Sequence, residues 1–303
     1  MTKIAIAVHG GAGSHSPFLK KNWKASEDGL AEATVAGYKI LKEGGSAVDA
    51  VECSIKILED NPLFNAGRGS ALNCEGEIEM DASIMNGKNL KAGAVSMVRS
   101  VKNPITLARI IMNKTKHVFL SGYGALDVAK NEGLYLETES YFITEHQQAL
   151  FKKLSKHETV QQILEKKIYG TVGAVALDKK SNLAAGTSTG GTNNCLPGRI
   201  GDSCVIGAGC YANNKTCAVS GTGEGEYLIR GVVAHTISMM TESGMPLQEA
   251  CDYVIHQRND KSKGHIGVIS ISHQGEIGIA FNTKVMKRAW MNSVSGLQVK
   301  ILA

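Results

Sequence analysis

The residues of this sequence most able to do chemistry are Gly170 and Thr171, where a hydroxyl side chain follows a glycine. The Thr171 hydroxyl can attack the carbonyl of Gly170, and the peptide bond then rearranges to an ester that water hydrolyses. The chain would then carry a new N-terminal threonine, whose free α-amine lies beside its own hydroxyl. Such a residue supplies both a nucleophile and its base. On its own, a Gly-Thr-Val-Gly tetrapeptide is more typical of a turn followed by a strand.

A second threonine, Thr189, is predicted to lie beside Thr171. Residues 171–178 and 183–189 are mostly small or apolar, and the polar segment 179–182 separates them. This pattern predicts a β-hairpin. In an antiparallel pair the end of the second strand returns to the start of the first. The two threonine hydroxyls are therefore expected to be neighbours.

Two glycine-rich segments farther along the chain carry groups that suit an α-amino acid. Arg199 and Asp202 flank a short Ile-Gly turn. A guanidinium can bind a carboxylate through two hydrogen bonds, and a carboxylate can accept an ammonium. A surface salt bridge between the two residues is the alternative. Thr222 and Gly223 would supply a hydroxyl and an N–H to an oxyanion hole, or form no more than a flexible glycine turn.

Taken in order along the chain, these segments resemble those of one protein family. The sequence is similar to the plant-type (type III) L-asparaginase/isoaspartyl aminopeptidase family of N-terminal-nucleophile (Ntn) hydrolases, and the match extends over nearly the whole chain. Besides the segments above, the matching motifs are His9-Gly10-Gly11-Ala12-Gly13, Leu63-Phe64-Asn65-Ala66-Gly67-Arg68-Gly69, Met80-Asp81-Ala82-Ser83, Gly93-Ala94-Val95 and Ala280-Phe281-Asn282-Thr283.

The resemblance implies a role for each candidate site residue. Thr171 would cleave the chain and then act as the nucleophile, with Thr189 hydrogen-bonded to its hydroxyl. Thr222 and the N–H of Gly223 would form the oxyanion hole. The residues that would bind the α-carboxylate and α-amine of the substrate are Arg199, Asp202, Gly223 and Gly225.

The resemblance also implies supporting groups from the first half of the chain. Asn65 would approach the freed α-amine, and a loop over residues 9–13, with His9, Gly10 and Gly11, would strain the scissile bond. The resemblance further implies a structural sodium ion in the loop between residues 58 and 68, where main-chain oxygens would suit a hard cation. Its expected ligands are the main-chain carbonyls of Leu58, Glu59, Asn61, Phe64, Ala66 and Arg68.

The family further implies a fold, an activity and an assembly. The expected fold is an αββα sandwich in one domain over residues 1–303. Cleavage between Gly170 and Thr171 would yield an α subunit of residues 1–170, with a connector at about 144–170, and a β subunit of residues 171–303. The expected reactions are hydrolysis of L-asparagine to L-aspartate and ammonia and cleavage of β-aspartyl dipeptides through a threonine acyl-enzyme. No catalytic cofactor is expected, and the assembly would be a homodimer.

Composition disfavours several other classes of protein. The net charge of +5 is scattered and 5% of residues are aromatic, which disfavours nucleic-acid binding. No apolar run is long enough to cross a bilayer, and the N-terminus does not resemble a secretory signal. The seven cysteines lack a Cys-x-x-Cys pair and are expected to be reduced, mostly buried thiols. We therefore expect a cytoplasmic protein that acts on small molecules.

Hydrophobic patterning predicts a layered α/β arrangement of elements. The apolar run at 4–8 predicts a strand covered on both faces, and Ser46 is expected to cap a helix through residue 58. Further strands are predicted at 78–83, 93–98, 171–178, 183–189, 216–220, 266–271 and 277–281. Further helices are predicted at 26–42, 106–112, 125–132, 226–243 and 246–256.

Five other functions are compatible with parts of the sequence. A Rossmann dehydrogenase would need a third glycine where Ser16 stands after Gly11-Ala12-Gly13. A catalytic cysteine would need His9 or His235 as its base. Within the wider family, the alternatives are a glycosylasparaginase-like amidase, a threonine aspartase acting on proteins, and a non-catalytic or uncleaved protein that retains the fold. Glycosylasparaginases usually carry Asp where this chain has Gly170, which favours the asparaginase/isoaspartyl peptidase branch.

Overall fold

The computed structural model of the protein describes residues 3–154, 170–259 and 264–302. The predicted connector at 144–170 is therefore described only at its ends. Residues 155–169 of it lie outside the described residues.

The strands and helices of the described residues follow each other in a mixed order. The strands are β1 (Ala5–Gly13), β2 (Met80–Asn86), β3 (Ala92–Val98), β4 (Phe119–Ser121), β5 (Val172–Leu177), β6 (Leu183–Thr189), β7 (Cys210–Ala212), β8 (Cys217–Gly223), β9 (Ile266–Ser272), β10 (Ile277–Phe281), β11 (Val285–Asn292) and β12 (Gln298–Leu302). The α-helices are α1 (Pro17–Lys21), α2 (Trp23–Lys42), α3 (Ala47–Asp60), α4 (Pro104–Lys114), α5 (Gly122–Asn131), α6 (Glu139–Phe142), α7 (Glu145–Leu154), α8 (Gly225–Gly231), α9 (Val233–Glu242) and α10 (Leu247–Asp252). A 3₁₀ turn covers Asp202–Cys204, and a π-helix over Tyr253–Arg258 continues α10.

Two stacked sheets form the centre of the molecule. The large sheet has eight strands in the order β12-β11-β1-β5-β6-β2-β3-β4, and the small sheet has four in the order β10-β9-β8-β7. Helices α2, α3 and α4 cover the outer face of the large sheet, and α9 and α10 cover the outer face of the small one. The αββα sandwich is confirmed.

Alternation of side chains along β1 explains why both of its faces are apolar. Ile6 and Val8 belong to the core under the helices, whereas Ala5 and Ala7 belong to the core between the two sheets. Successive strand residues point to opposite faces, so a strand covered on both sides must be apolar throughout. The predicted two-sided burial of this strand is confirmed.

The start of α3 is fixed by local chemistry. The Ser46 hydroxyl accepts from the N–H of Asp49, and the Asp49 carboxylate accepts from the N–H of Ser46, which makes a capping box. These bonds satisfy backbone donors that a helix start otherwise leaves unpaired. The predicted cap is confirmed, and the helix ends two residues later than expected, at Asp60.

Three predicted elements differ from the structure. Residues 9–13 are the end of β1 and not a loop, because His9 pairs with β11 before a bulge and Ala12 and Gly13 pair with it after the bulge. The helix predicted at 226–243 is two helices, since Val232 adopts a left-handed conformation with φ +45°. The helix predicted at 246–256 changes to a π-helix at Tyr253. Several strands and two helices were not predicted: β4, β7, β11, β12, α1 and α6.

The strand pairing rules out one alternative fold. Among the described strands, β3 with β4 is the parallel pair, and the other named pairs are antiparallel. A dinucleotide-binding Rossmann sheet is mostly parallel, so the dehydrogenase alternative is rejected. None of the described helices combines the length and the apolar character needed to cross a bilayer.

Candidate active site

Strand pairing brings Thr171 and Thr189 together. Thr171 immediately precedes β5, and Val172 pairs with Ser188 in the antiparallel register of β5 and β6. The Thr171 hydroxyl donates to the Thr189 hydroxyl, with 3.3 Å between the two Oγ1 atoms. Both side chains are buried. The neighbouring position of the two hydroxyls, which the hairpin pattern predicts, is confirmed.

The carbonyl of Gly170 is held by two donors. Asn65 Nδ2 donates to the Gly170 oxygen at 2.8 Å, and Thr189 Oγ1 donates to it at 3.1 Å. Asn65 is fixed in turn, because its Oδ1 accepts from the Ala71 N–H at 2.7 Å and its Nδ2 also donates to the Gly191 oxygen at 2.7 Å. Attack by Thr171 would place negative charge on the Gly170 oxygen, where preorganised donors stabilise a transition state.

The end of β1 packs directly against the Gly170–Thr171 bond. Gly11 has φ +104°, and a Cβ built there would lie 2.8 Å from Gly170 Cα and 3.1 Å from Thr171 N. Glycine is therefore required at this position for two reasons: its backbone angle and its close approach to the scissile bond. At Gly10, a Cβ would lie 2.4 Å from the ring of Phe64, so the missing side chain leaves room for that ring.

His9 positions the chain after the scissile bond. Its Nδ1 lies 3.1 Å from the Thr171 oxygen and its Nε2 lies 3.0 Å from Ser220 Oγ. A carbonyl can only accept, so Nδ1 carries the proton and Nε2 accepts from the Ser220 hydroxyl. Burial lowers the pKa of His9 to about 3, and the backbone bond to Thr171 only partly opposes this. His9 is therefore neutral at physiological pH and serves as a hydrogen-bonding link.

Arg199 and Asp202 lie at one pocket but do not pair with each other as an isolated surface salt bridge would. The Arg199 guanidinium pairs with Glu226, at 2.9 Å from Nε and 2.8 Å from Nη2. Asp202 is buried, and within the described residues its Oδ2 has no hydrogen-bond partner. Burial raises the pKa of Asp202 to about 7, against the lowering effect of Arg199. An unpartnered buried carboxylate is a strong site for an incoming ammonium.

Gly225 closes this pocket at the start of α8. A Cβ there would lie 2.8 Å from Asp202 Oδ1 and 3.0 Å from Arg199 Nη2. Any side chain would therefore fill the space between the carboxylate and the guanidinium. The space left among Gly170, Thr171, Thr189 and the Arg199–Asp202 segment is only about 10 Å³ in the uncleaved chain. That is about the volume of one water molecule, so a substrate can enter only after Gly170 moves away.

Thr222 and Gly223 end β8 beside this space. The Thr222 hydroxyl accepts from the Ala12 N–H at 3.2 Å, and no acceptor among the described residues takes its proton. The proton is therefore free to be donated to an oxyanion. Gly223 has φ +122° and lines the small cavity together with Thr171.

Three residues that the sequence analysis did not assign to the site support it. Ser220 binds His9, as described above, and Glu226 orients Arg199. Asp81 is buried, and its two carboxylate oxygens accept from the N–H groups of Gly201 and Met97, both at 3.2 Å. Asp81 stands in a motif that carried the family resemblance, and a charged residue inside an apolar strand was the signal available for it.

The segment predicted to bind sodium comprises the last residues of α3 and the turn that follows the helix. The carbonyls of Leu58, Glu59 and Asn61 each accept one N–H from the same turn, from Asn61, Arg68 and Phe64 respectively. Each carbonyl keeps a second lone pair. The Glu59 side chain is buried, burial raises its pKa to about 8, and its Oε2 has no hydrogen-bond partner among the described residues.

The cysteines do not form the alternative catalytic centre. All seven lie in the described residues, and none is in a disulfide. Burial raises the pKa of Cys195 and Cys204, and it raises that of Cys210 and Cys217 to about 12, so the thiols stay protonated. Among the described contacts, His9 binds Ser220 and His235 packs edge-on against Tyr211. A cysteine–histidine nucleophile is therefore rejected.

Comparisons with known proteins agree with this geometry. A family model described as asparaginase matches residues 2–301. A protein of Homo sapiens named isoaspartyl peptidase/L-asparaginase is 46% identical over 91% of this chain and 89% of its own length. A protein of Bos taurus with the same name is 44% identical over 93% and 91%, and an isoaspartyl peptidase of Escherichia coli is 42% identical over 96% and 93%.

Proposed function

Because the chain belongs to the asparaginase family, we propose that it is a self-cleaving threonine hydrolase acting on L-asparagine and β-aspartyl dipeptides. The observation that carries the proposal is the pair of donors on the Gly170 carbonyl beside the Thr171 hydroxyl. A threonine held in this way can break the bond before it and so generate its own base. The names of the similar proteins supply the substrate class.

Self-cleavage uses groups already in place. Thr171 Oγ1 attacks the Gly170 carbonyl carbon, and Asn65 Nδ2 and Thr189 Oγ1 stabilise the charge on the Gly170 oxygen. The C–N bond breaks, the Thr171 nitrogen gains the proton that the hydroxyl gives up and becomes a free amine, and an ester joins Gly170 to Thr171 Oγ1. Water then hydrolyses the ester. The products are a Gly170 carboxylate and an N-terminal Thr171.

Turnover uses the same threonine in its cleaved form. The α-amine of Thr171 takes the hydroxyl proton while Oγ1 attacks the β-carbonyl of the substrate. Arg199 binds the α-carboxylate, and Asp202 and Gly225 hold the α-ammonium. The Thr222 hydroxyl and the Gly223 N–H bind the oxyanion, a contribution of roughly 10²–10³ in rate for one such donor. Ammonia or an amino acid leaves, and water releases aspartate from the acyl-enzyme.

The turn after α3 is proposed to bind a structural sodium ion. Its expected ligands, the carbonyls of Leu58, Glu59, Asn61, Phe64, Ala66 and Arg68, are hard oxygen donors of the kind that such a cation prefers. The fit is supported by the spare lone pairs on these carbonyls, by the unpartnered Glu59 Oε2, and by the negative end of the α3 dipole. A bound ion would stabilise the turn that carries Asn65.

Homodimer assembly and a cytoplasmic location also remain proposals. The family resemblance supports the dimer. The seven unpaired cysteines support a reducing compartment.

Substrate assays on partly cleaved samples test the proposed function. Samples withdrawn at intervals during incubation are assayed for ammonia release from L-asparagine and for leucine release from β-aspartyl-leucine. We expect both activities to rise in proportion to the cleaved fraction measured by mass spectrometry. Equal activity in uncleaved and fully cleaved samples would contradict the mechanism, and no activity after full cleavage would contradict the substrate class.

A further inference from the structure

A second cavity lies beside the scissile bond, and the proposed mechanism does not use it. It has a volume of about 120 Å³, and Gly170 lines it as well as the small substrate space. Its other walls include the end of β1, the segment 62–65, helix α7 and Lys287 of β11. We refer to it as the Lys287 cavity.

Lys287 places a positive charge at the wall of this cavity. Within the described residues its ammonium has no ion pair, and it lies over the ring of Phe64 at 4.8 Å from the centroid. No Asp or Glu is among the described residues that line the cavity. Burial lowers the pKa of Lys287 to about 8, which reflects the cost of keeping a charge in this place without a counterion.

The register of the large sheet places Lys287 close to Gly170. Met286 pairs with Ala12 and Arg288 pairs with His9, so Lys287 lies opposite the bulge that contains Gly10 and Gly11. Gly11 is the residue that packs against Gly170 Cα. His146 of α7 lines the same cavity as Lys287. The positive charge of Lys287 contributes to lowering the pKa of both His9 and His146.

Self-cleavage creates a negatively charged carboxylate at Gly170, which needs a binding site. Before cleavage the Gly170 oxygen accepts hydrogen bonds from Asn65 Nδ2 and Thr189 Oγ1, which both lie at the nucleophile. After cleavage Gly170 ends in a carboxylate. If it stayed there, it would block the substrate and compete for Arg199.

We propose that the Lys287 cavity receives the α-carboxylate of Gly170 after cleavage and that Lys287 pairs with it. This inference rests on the proposed self-cleavage. The new carboxylate needs no long movement, because Gly170 already forms part of the cavity wall. Docking there clears the substrate space and gives the lone ammonium its counterion, in a charge-assisted hydrogen bond. Lys287 thus acts as a positioning residue for the cleaved chain.

Digestion of the mature enzyme with a broad-specificity carboxypeptidase tests the proposal. Wild type, Lys287→Met, Lys287→Gln, Lys287→Arg and Lys284→Met are each matured to completion and digested, and the mass of the 1–170 fragment is followed. We expect Gly170 to be removed at least about tenfold faster from Lys287→Met and Lys287→Gln than from wild type. Lys287→Arg should restore protection because it keeps the charge, and Lys284→Met should match wild type because Lys284 is exposed.

The outcomes separate this inference from the proposed function. Equal trimming of wild type and both neutral variants overturns the docking but leaves self-cleavage intact. A wild-type chain that never splits overturns both.

A second experiment tests whether a free carboxylate, and not that of Gly170, occupies the Lys287 cavity. The melting temperature of mature wild type is compared in sodium acetate and sodium chloride at equal ionic strength. We expect no difference, because the Gly170 carboxylate fills the site. A rise in acetate that Lys287→Met abolishes would identify a free carboxylate as the occupant and overturn the docking of Gly170.

Discussion

At the scale of single residues, the Gly170 carbonyl determines what the uncleaved chain can do. Its oxygen accepts from Asn65 and Thr189 before any charge develops, so the donors need no reorganisation during the attack. Thr189 also contacts the attacking hydroxyl. One side chain therefore serves the nucleophile and the developing oxyanion together.

Removing the Thr189 hydroxyl should slow self-cleavage. Thr189→Val keeps the shape of the side chain but loses one donor to the Gly170 oxygen. We expect the first-order cleavage constant to fall by about 10²-fold, the usual effect of losing one oxyanion donor. Intact-mass spectrometry over time measures it. Thr192→Val is the control, since Thr192 lines the same space without a hydrogen bond to Gly170. Equal rates for Thr189→Val and wild type would remove Thr189 from the mechanism.

Asp202 should determine how the enzyme binds the α-ammonium of its substrate. Asp202→Asn is expected to lower kcat/KM for L-asparagine by about 30-fold or more, equivalent to about 2 kcal/mol for one partner of a buried charge pair. Succinamate, which is asparagine without its α-amine, should change less than about threefold with the same variant, because it offers no ammonium to bind. A similar loss with both substrates would mean that Asp202 acts through the fold.

The raised pKa of Asp202 also predicts a pH dependence. Because burial raises this pKa to about 7, the carboxyl becomes protonated and neutral as pH falls below that value. kcat/KM for asparagine should therefore decrease towards acid pH. An N-terminal α-amine such as that of Thr171 titrates in a similar range and also contributes to the decrease of kcat/KM towards acid pH. The ratio of asparagine to succinamate kcat/KM cancels that shared term, and we expect it to decrease below pH 7. A ratio that stays constant across this range would contradict the assignment.

At the scale of elements, the end of β1 sets the geometry of the scissile bond. Gly11→Ala would place a methyl group 2.8 Å from Gly170 Cα in a backbone conformation with φ +104°. Gly44→Ala is a matched control, because Gly44 has φ +91° but open space around it. Both variants should lose about 1–3 kcal/mol of stability to backbone strain. Only Gly11→Ala should slow cleavage, by at least about tenfold, and equal cleavage rates in both variants would contradict this role.

The sequence predicted the elements whose geometry depends on neighbouring residues, such as a hairpin and a helix cap. The hairpin that joins Thr171 to Thr189 follows from two apolar runs and a polar turn. The start of α3 follows from Ser46 and Asp49. The break at Val232 was not predictable, because a β-branched residue is a poor candidate for a left-handed conformation. The N–H groups that follow it, those of Ala234 and His235, donate to the carbonyls of Ala208 and Gly207, which are distant in sequence. Strand β11 was missed because Lys287 and Arg288 interrupt its apolar pattern.

At the scale of the whole molecule, the two stacked sheets bring together residues far apart in sequence. Thr171 and Thr189 come from the large sheet, and Thr222 comes from the small sheet. The resemblance identified these residues, but the pairing of Arg199 with Glu226 and the position of Lys287 in a cavity beside Gly170 could not be predicted from it. Contacts such as Arg199 with Glu226 depend on how the segment 199–204 meets α8, which no sequence period encodes.

Assembly is tested at this same scale. Light scattering after size-exclusion chromatography should give a mass of twice 32.2 kDa for both the uncleaved and the cleaved protein, because each cleaved half stays in the shared core. Strand β5 pairs with β1 and strand β6 pairs with β2, so the 171–303 fragment and the 1–170 fragment share one sheet. A single 32.2 kDa species would contradict the homodimer, and separation of the two fragments would contradict one shared domain.

The most direct test of the central claim is the intact mass, under denaturing conditions, of wild type and Thr171→Ala after several days of incubation. The mechanism predicts fragments of residues 1–170 and 171–303 from wild type, and an uncut chain from Thr171→Ala. Loss of the hydroxyl removes the only nucleophile that the mechanism assigns to the bond. A Thr171→Ala chain cut at the same bond, or an uncut wild type that hydrolyses asparagine, would contradict it.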